Sequence, residues 1–464
     1  MPVDAPPYRA ESALAPPRPA LTEWALIVAV SLCSMLAPLN STMIVVALPR
    51  IVRDFGATLG AGGWLITLYL IAMASVQPLA GKLGDRWGRR PLILTSLLAF
   101  SAVSIAAALA PSLPALIVFR VLQALSAGLA LPNGMALVRE AVPAERRGSR
   151  FGIVASLVSV AAALGPPLGG VLVQFGGWRA IFAANILLVG PALAIGWQVF
   201  PRAAVRRQHP RFDLLGAILL SSALVGLAAL LIRLPNQSAV VSALWGTGVA
   251  ALGLLFARHE LAAADPVLQL RLFRNATFAG GNAAIALSNL AMYTTLIAVP
   301  LLAARRTHLT PVQVGLLLAA MSATNVLAAP LGGRLADRLG RRLPTVIGLV
   351  LAVPGLVALV VAGAHITIPV LAGGLAVAGF GFGMGWASLQ TAVIESVQPR
   401  LAGSASGIFS TARYLGSIVG TSVLAALVAG SGEHDFTPIF AMAAVAAAAA
   451  AVSSLWLASR PSTD

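Results

Sequence analysis

The chain contains the stretch Gly81-Lys82-Leu83-Gly84-Asp85-Arg86-Trp87-Gly88-Arg89-Arg90, a charged, glycine-punctuated loop between two apolar segments. The pattern returns 252 residues later as Gly333-Arg334-Leu335-Ala336-Asp337-Arg338-Leu339-Gly340-Arg341-Arg342. A second pair of segments, Gly148-Ser149-Arg150-Phe151-Gly152-Ile153 and Gly403-Ser404-Ala405-Ser406-Gly407-Ile408, is separated by 255 residues. Because two separate landmarks agree on nearly the same spacing, the sequence indicates an internal duplication.

The composition is that of an all-α integral membrane protein. Of the 464 residues, 58% are hydrophobic and only 10% are charged, which is more apolar surface than a soluble fold could bury. Apolar runs of about twenty residues recur, the length that a helix needs to cross ~30 Å of hydrocarbon. A membrane β-barrel would instead require alternating polar and apolar residues. Cys33 is the only cysteine, so an internal disulfide is excluded.

The net charge of +16 does not indicate nucleic-acid binding, because the arginines lie mostly in short loops between apolar segments. If the N-terminus is cytoplasmic, most of the basic residues fall in tails and loops on the cytoplasmic side, as the positive-inside rule requires. We therefore expect a multi-pass protein of the bacterial cytoplasmic (inner) membrane with both termini in the cytoplasm.

The apolar runs predict fourteen transmembrane helices in three groups. Six are predicted at 25–48, 61–81, 91–111, 114–138, 151–174 and 179–200; two at 212–232 and 240–256; and six at 278–304, 312–333, 343–364, 367–392, 404–430 and 437–458. The predicted organisation is a cytoplasmic tail (1–23), an N-terminal six-helix bundle (24–201), a linker with two inserted helices (202–260), a C-terminal six-helix bundle (261–459) and a second tail (460–464).

The repeated stretch resembles the signature motif of the major facilitator superfamily, and the two inserted helices resemble its fourteen-helix drug:proton antiporter branch. An ordinary positive-inside loop would not repeat glycine and aspartate at matched positions. The resemblance covers nearly the whole chain and implies the major-facilitator fold. It also implies that Asp85 contacts the start of helix 13 near Ser404, and that Asp337 contacts the start of helix 5 near Ser149. The residues implied in conformational gating are Gly81, Gly84, Asp85, Arg86, Gly88, Arg89, Gly333, Asp337, Arg338, Gly340 and Arg341.

Helix 5 is similar to the antiporter motif of that family. The matching residues are Gly152, Gly165, Pro166, Gly169 and Gly170, while Ala161 stands where the family has a glycine. Glycines in a bilayer helix let neighbouring backbones touch, so close packing without a transport role is the alternative interpretation. The stretch Gly177–Asn185 that follows resembles the tryptophan-arginine stretch of the fourteen-helix branch; the alternative is an anchor at the membrane interface.

Helices 1 and 4 carry polar residues that we expect to face a central cavity. Arg120, with Gln123 one turn on, resembles the arginine-glutamine motif of helix 4, and an arginine at mid-membrane needs a partner or water. The alternative is an arginine that extends to the interface. In helix 1, the stretch Leu39–Pro49 resembles the branch's helix-1 motif, but Asn40 occupies the aspartate position. An asparagine cannot exchange a proton, so Asp54 and Glu395, near helix ends, are the remaining candidates for proton coupling.

Further cavity residues are predicted on helices 9 and 12. Asn282, Asn289 and Tyr293 lie on one face of helix 9, because they are spaced by seven and four residues. In helix 12, Phe382 and Trp386 stand among glycines that we expect to keep the backbone bendable. Packing is the alternative role for such residues.

The sequence excludes two enzyme classes and favours transport. The only lysine, Lys82, is followed by Leu83, so a phosphate-binding loop that ends in lysine followed by serine or threonine is absent. The five histidines lack metal-ligand spacing, and we expect no metal and no cofactor. The favoured interpretation is a non-enzymatic exporter of small amphipathic compounds or drugs that works by alternating access and is driven by the proton gradient. We expect it to act as a monomer and not to bind nucleic acid. The alternatives are a dedicated carrier for a metabolite, lipid or organic anion, and a scaffold or receptor that does not transport.

Overall fold

The computed structural model describes residues 20–201, 213–233, 237–263, 266–306, 309–365, 367–398, 401–430 and 436–459. Several predicted features lie outside these residues. They are positions 1–19 of the first tail, positions 202–212 of the linker, the second tail at 460–464, and the histidines His209, His308 and His434.

Fourteen long helices account for most of the described residues, and each is long and apolar enough to cross a membrane. The first six are α1 (Ala20–Asp54), α2 (Leu59–Trp87), α3 (Arg89–Ala108), α4 (Leu113–Ala141), α5 (Ala144–Gly176) and α6 (Arg179–Val199). The inserted pair is α7 (Leu214–Arg233) and α8 (Ala239–Ala262). The last six are α9 (Ala276–Arg306), α10 (Pro311–Leu339), α11 (Arg342–Ala362), α12 (Ile368–Glu395), α13 (Ala402–Gly430) and α14 (Thr437–Ser453). The predicted helical membrane fold is confirmed.

Local sequence signals explain where several helices begin. The side chains of Thr58, Ser112 and Ser238 accept hydrogen bonds from backbone N–H groups in the first turns of α2, α4 and α8. Thr310 and Gln313 form a reciprocal capping box at the start of α10. Such caps satisfy backbone donors that have no partner within the helix.

The two signature stretches are largely helical, and the prediction of loops at these positions is wrong. α2 continues through Trp87, and α10 continues through Leu339. Each helix ends at a single glycine with positive φ, Gly88 at 87° and Gly340 at 84°. A residue with a side chain is strained in this conformation, so glycine permits the short break between the two helices, one residue at Gly88 and two at Gly340 and Arg341. We call the end of the bundle that carries Gly88 and Gly340 the motif face, and the opposite end the far face.

The same helix contact occurs in both halves. A Cβ added at Gly169 of α5 would overlap the backbone of Met43 in α1, and one added at Gly420 of α13 would overlap the backbone of Leu290 in α9. One turn earlier, a Cβ on Gly165 would overlap the side chain of Thr42 in α1 and come within 3.2 Å of the carbonyl oxygen of Leu39. Glycine therefore lets these backbones touch, which is how helices associate in lipid.

The inserted pair packs beside the junction of the halves, where α7 contacts α2 and α13. Ser221 of α7 donates a hydrogen bond of 2.7 Å to the hydroxyl of Ser75 in α2. Polar contacts stabilise the motif-face end of the inserted pair, where Oδ1 of Asp213 lies 2.6 Å from Nε2 of His259. Glu260 accepts a hydrogen bond of 2.8 Å from the backbone N–H of Leu268.

Candidate functional site

The two six-helix halves meet at the far face through two helix pairs. In the first pair, the hydroxyls of Thr67 in α2 and Thr421 in α13 lie 3.1 Å apart. In the second pair, a Cβ on Gly170 of α5 would overlap the carbonyl of Pro311 in α10. Reciprocally, Gly315 of α10 lies against the carbonyl of Pro166 in α5. These backbone contacts leave no room for a side chain, so the far face is sealed.

Glycines nearer the motif face lie in open space. A Cβ added at Gly81 of α2, Gly152 of α5, Gly333 of α10 or Gly407 of α13 would meet no atom within 4 Å. The helices that seal the far face therefore lack close contacts at these four positions. Close contact between the halves is therefore found toward the far face, and the helices are free of it at these four positions toward the motif face.

Of the helix-5 motif residues, Gly165 and Gly169 hold α5 against α1 within the first half. Gly170 and the carbonyl of Pro166 contact α10 of the second half. Gly152 makes no such contact, as noted above. The structure thus places four of the five predicted residues at helix contacts. Two of them pack α5 against α1 within the first half, and two pack it against α10 of the second half.

Each half carries a matching ionic cluster at the motif face. Arg89 lies 2.8 Å from a carboxylate oxygen of Asp85 and 2.9 Å from one of Glu140 at the end of α4. Arg341 of the second half pairs in the same way, at 2.8 Å with Asp337 and at 3.0 Å with Glu395 at the end of α12. The Glu395 hydrogen bonds, and then Asp337, raise the pKa of the Arg341 guanidinium above its ordinary value. Arg86 and Arg338 are exposed on the same face.

These pairings differ from the contacts that the family resemblance implies. Asp85 pairs with Arg89 and Asp337 with Arg341, each within its own half, rather than with the starts of α13 near Ser404 and of α5 near Ser149. Each carboxylate is instead paired with the arginine four residues further along the chain, which neutralises it within its own half. Gly84 lies in close contact with α4, because a Cβ at this position would overlap the side chain of Asn133.

Asn40 lies inside the N-terminal half, in a fully buried polar network. Its amide exchanges two hydrogen bonds with the amide of Asn185 in α6, at 2.7 and 3.1 Å. Asn185 donates to the hydroxyl of Ser104 at 3.2 Å, and Gln123 donates to the same hydroxyl at 2.8 Å. Arg120 completes the chain by donating to Gln123 Oε1 at 3.1 Å. The network links the predicted residues of helices 1 and 4 through Ser104 and Asn185, which the sequence did not single out as site residues.

Arg120 is a buried cation without a carboxylate partner among the described residues. Its guanidinium lies 4.0 Å from the ring centroid of Tyr69 in α2, a cation–π contact. Two of its nitrogens, Nε and Nη2, have no hydrogen-bond partner within the described part of the chain. A mid-membrane arginine costs roughly 2.5 to 3.5 kcal/mol on insertion scales, so this residue is retained at an energetic cost.

The two carboxylates considered for proton coupling lie at opposite ends of the molecule. Asp54, at the far face, lies 3.3 Å from Nε of Arg50 and accepts a hydrogen bond of 3.0 Å from the indole of Trp178. Glu395 belongs to the motif-face cluster described above. Both are ion-paired near helix ends, and they do not converge on one site.

On α9, the predicted polar face is buried. Asn282 and Asn289 donate to carbonyls of their own helix, at 2.8 and 3.1 Å, and the Oδ1 atoms of both lack a partner among the described residues. Tyr293 reaches the other half, where its hydroxyl donates to Ser41 Oγ of α1 at 3.5 Å. Tyr293 therefore lies where the two halves meet.

The glycines of α12 serve close packing, and the expectation that they keep the backbone bendable finds no support. Positions 379 and 383 lie against backbone atoms of α10, and 381 lies against backbone atoms of α11. A helix held by its backbone on two sides has little freedom to bend. Among its aromatic residues, Phe382 is buried and Trp386 is half-buried.

Arg413 of α13 is a site candidate that the sequence motifs did not select. Its guanidinium lies 4.6 Å from the ring centroid of Tyr414 and 5.5 Å from that of Trp386. The hydroxyl of Tyr414 accepts a hydrogen bond of 3.2 Å from Gln77 in α2 of the other half. The signal was an arginine in the middle of an apolar run, but no motif assigned it a role.

Comparisons with known proteins agree with this architecture. A family model described as Major Facilitator Superfamily matches residues 30–263 and 282–464. An MFS-type transporter of Bacillus subtilis, YvkA, is 33% identical over 425 residues, which cover 91% of this chain and 94% of that protein. The tetracenomycin C resistance and export protein of Streptomyces glaucescens is 30% identical over 416 residues, 88% of this chain and 76% of that protein. The crystal structure of a peptide transporter, POT, in complex with sulfate aligns with a TM-score of 0.70 at 17% identity, over 96% of this chain and 95% of that chain, which is a likeness of fold.

Proposed function

Because this chain belongs to the major facilitator superfamily and is a membrane transporter rather than an enzyme, we propose that it exports small amphipathic compounds, drugs among them. The observation that supports the proposal is the unequal contact between the halves, which is close at the far face through Gly170 and Gly315. Toward the motif face, Gly81, Gly152, Gly333 and Gly407 lie in open space, and we infer that this face is open. A bundle closed at one end only is one of the two end states that alternating access requires. The name of the Streptomyces glaucescens relative, a resistance and export protein, supports the export direction.

The proposed topology places the motif face in the cytoplasm of a bacterial cell, with both termini on that side and the protein acting as a monomer. Arginines cluster at that face: Arg89, Arg146, Arg150 and Arg341 all form ion pairs there. Positive residues are retained on the cytoplasmic side of a membrane, which supports this orientation. The structure described here is then the state open to the cytoplasm, ready to load an outgoing compound.

We further propose that the proton gradient drives transport through carboxylates outside helix 1. Asn40 and Asn185 are both uncharged amides, so the centre of the N-terminal half cannot take up a proton at the position where the family uses an aspartate. Asp54 and Glu395 are the carboxylates that remain for the role, and each must break an ion pair to be protonated.

The test is flux into inverted membrane vesicles that contain the full chain, with and without an imposed proton gradient. We expect uptake of amphipathic test compounds that stops when the gradient is collapsed. Uptake equal to that of vesicles without the protein, for every compound in a panel of cations, neutral molecules and anions, contradicts transport itself. Uptake that ignores the gradient contradicts only the coupling.

A second candidate function is a dedicated carrier for a metabolite, lipid or organic anion with unusual or absent proton coupling. The buried guanidinium of Arg120, which contacts Tyr69 and Gln123 but no described carboxylate, favours it. A drug exporter accepts many compounds, and a dedicated carrier accepts one. Competition between unlabelled compounds for one labelled substrate in the same vesicles separates the two functions.

A further inference from the structure

We propose that Arg413, with the rings of Trp386 and Tyr414, binds the acidic group of an aromatic organic anion, which makes aromatic carboxylates a substrate class of this transporter. The inference rests on the proposed transport function and adds to it the charge of the ligand and the residue that selects it.

The position of Arg413 suits a substrate site. It lies nine residues after Ser404, the first residue of the membrane span Ser404–Val428. At 1.5 Å per residue this is about 14 Å from the motif-face end of the span, near the middle of the bilayer. The side chain is half-buried, so it is reachable from the open motif face. Ionisable residues within transmembrane segments commonly mark substrate and ion pathways.

The guanidinium has ring contacts but no counter-charge. The ion pairs among the described residues involve Arg50, Arg89, Arg146, Arg150, His259 and Arg341, and Arg413 takes part in none of them. The guanidinium carbon lies 4.6 Å from the ring centroid of Tyr414 and 5.5 Å from that of Trp386, and the guanidinium itself is planar. The N–H donors of an arginine lie at the edge of that plane, in a fork that matches a carboxylate. A ligand carboxylate could therefore bind without displacing the rings.

A second intramembrane cation, the buried Arg120, adds to the positive potential inside the bundle. Arg120 contacts the ring of Tyr69, and Tyr69 is close enough to Tyr293 and Tyr414 to interact with them electrostatically. Three of the four tyrosines of the chain thus converge near the two intramembrane arginines. Such a region repels cationic drugs and attracts anions.

The aromatic character of the ligand follows from the same residues. Trp386 and the tyrosines provide ring faces and edges, which favour a flat ring over a flexible chain. Residues of both halves meet here, since Gln77 of α2 donates to Tyr414 and Tyr293 of α9 donates to Ser41. A ligand bound at Arg413 would compete with these hydrogen bonds between the halves, which couples binding to their relative movement.

The experiment uses three compounds with one ring system and different charge: 2-naphthoate, the neutral 2-naphthamide and the cationic 2-naphthylmethylammonium. Uptake of each is measured in proteoliposomes that contain the full chain. We expect the wild type to move the carboxylate best. Arg413→Gln should lower its kcat/KM at least tenfold, mainly through KM, and change that of the amide less than twofold. Arg413→Lys should recover part of the carboxylate uptake, because it keeps the charge.

The matched control is Arg258→Gln, which removes one positive charge from the exposed surface of α8 and should leave all three rates unchanged. A second measurement, on protein that retains Arg413, applies if Arg413→Gln does not fold. 2-Naphthoate should quench the tryptophan fluorescence of the wild type, and Trp386→Phe should remove most of that quenching. The inference is overturned if Arg413→Gln lowers uptake of all three compounds equally, or if the wild type prefers the cation. Uptake of the amide or the cation in those cases leaves the proposed transport function standing. A wild type that neither binds nor moves any of the three overturns both.

Discussion

Asn40 of α1 and Asn185 of α6 exchange two hydrogen bonds, at 2.7 and 3.1 Å, in the buried centre of the N-terminal half. Each amide is donor and acceptor to the other, so the pair is satisfied without charge. In this transporter the pair stands where the family resemblance implies a carboxylate. The consequence is a helix junction that does not change with pH.

Asn40→Asp should make that junction sensitive to pH. A carboxylate cannot donate to Asn185 Oδ1, whereas a protonated carboxyl group can, so the folded state favours the protonated form. Relative to the wild type, the variant should therefore be nearly as stable at about pH 4, near the ordinary aspartate pKa, and lose about 1 to 3 kcal/mol as the pH rises to about 6 and above, since one pKa unit corresponds to about 1.4 kcal/mol. The same substitution should give transport a dependence on the proton gradient at helix 1. Thermal unfolding in detergent and vesicle flux measure the two effects.

The matched control for that prediction is Asn40→Leu, which removes the hydrogen bonds without adding a titratable group. It should destabilise the protein by a similar amount at every pH. Parallel stability curves for Asn40→Asp and the wild type across this range would contradict the role assigned to the amide pair.

Cross-linking the far face should stop transport. Thr67 and Thr421 come from opposite halves and their hydroxyls lie 3.1 Å apart. Thr67→Cys with Thr421→Cys, in a Cys33→Ala background, should form a disulfide under oxidising conditions and hold the far face shut. We expect uptake to fall at least tenfold and to return when the disulfide is reduced. The two single-cysteine variants serve as controls, and full uptake by a completely cross-linked protein would disprove that the far face must open.

Gly170→Ala should weaken the far-face seal, because the added methyl group meets the backbone of Pro311 and Val312 from the other half. Overpacking of this kind costs about 1 to 3 kcal/mol. We expect a lower unfolding temperature and slower transport. Gly190→Ala is the matched control on α6, where a Cβ meets no atom within 4 Å, and it should be neutral or stabilise the helix by about 0.5 to 1 kcal/mol. Equal effects of the two substitutions would show that the contact with α10 is unimportant.

Arg341→Gln and Glu395→Gln should have non-additive effects on stability. The two side chains pair at 3.0 Å near the surface, where an ion pair is worth less than about 1 kcal/mol. A double-mutant cycle from chemical unfolding should give a coupling energy between about 0.2 and 1 kcal/mol. The cycle of Arg89→Gln with Glu140→Gln should give a similar value, since that pair is its counterpart in the first half. Strict additivity in both cycles would contradict the predicted coupling, and coupling in only one of them would contradict the matching of the two clusters.

The sequence was sufficient to predict the helical membrane fold because each span is defined by local composition. Run length, charge and glycine locate a helix without knowledge of its neighbours. The repeated signature stretch added the relation between the halves. The sequence prediction was wrong where it interpreted charge as loop: α2 and α10 carry their charged residues on a helix that continues to Gly88 and Gly340.

The site was less predictable, because it depends on which face of each helix meets which neighbour. Asn40 was expected at a cavity, but its partner Asn185 is 145 residues away, and no local pattern relates them. A glycine-rich sequence such as that of α12 is compatible both with a helix that bends and with one that packs tightly. Only the positions of the neighbouring helices α10 and α11 decide between the two. Arg413 was visible as an intramembrane charge, yet its neighbours Trp386 and Gln77 come from distant parts of the chain.

The seal of the far face contains backbone contacts and a pair of threonine hydroxyls, whereas the motif face is lined with arginines and carboxylates. Dissolved ions screen the second kind of interaction and leave the first nearly untouched. Raising the ionic strength should therefore weaken the ion pairs of the motif face and leave the contacts of the far face nearly unchanged.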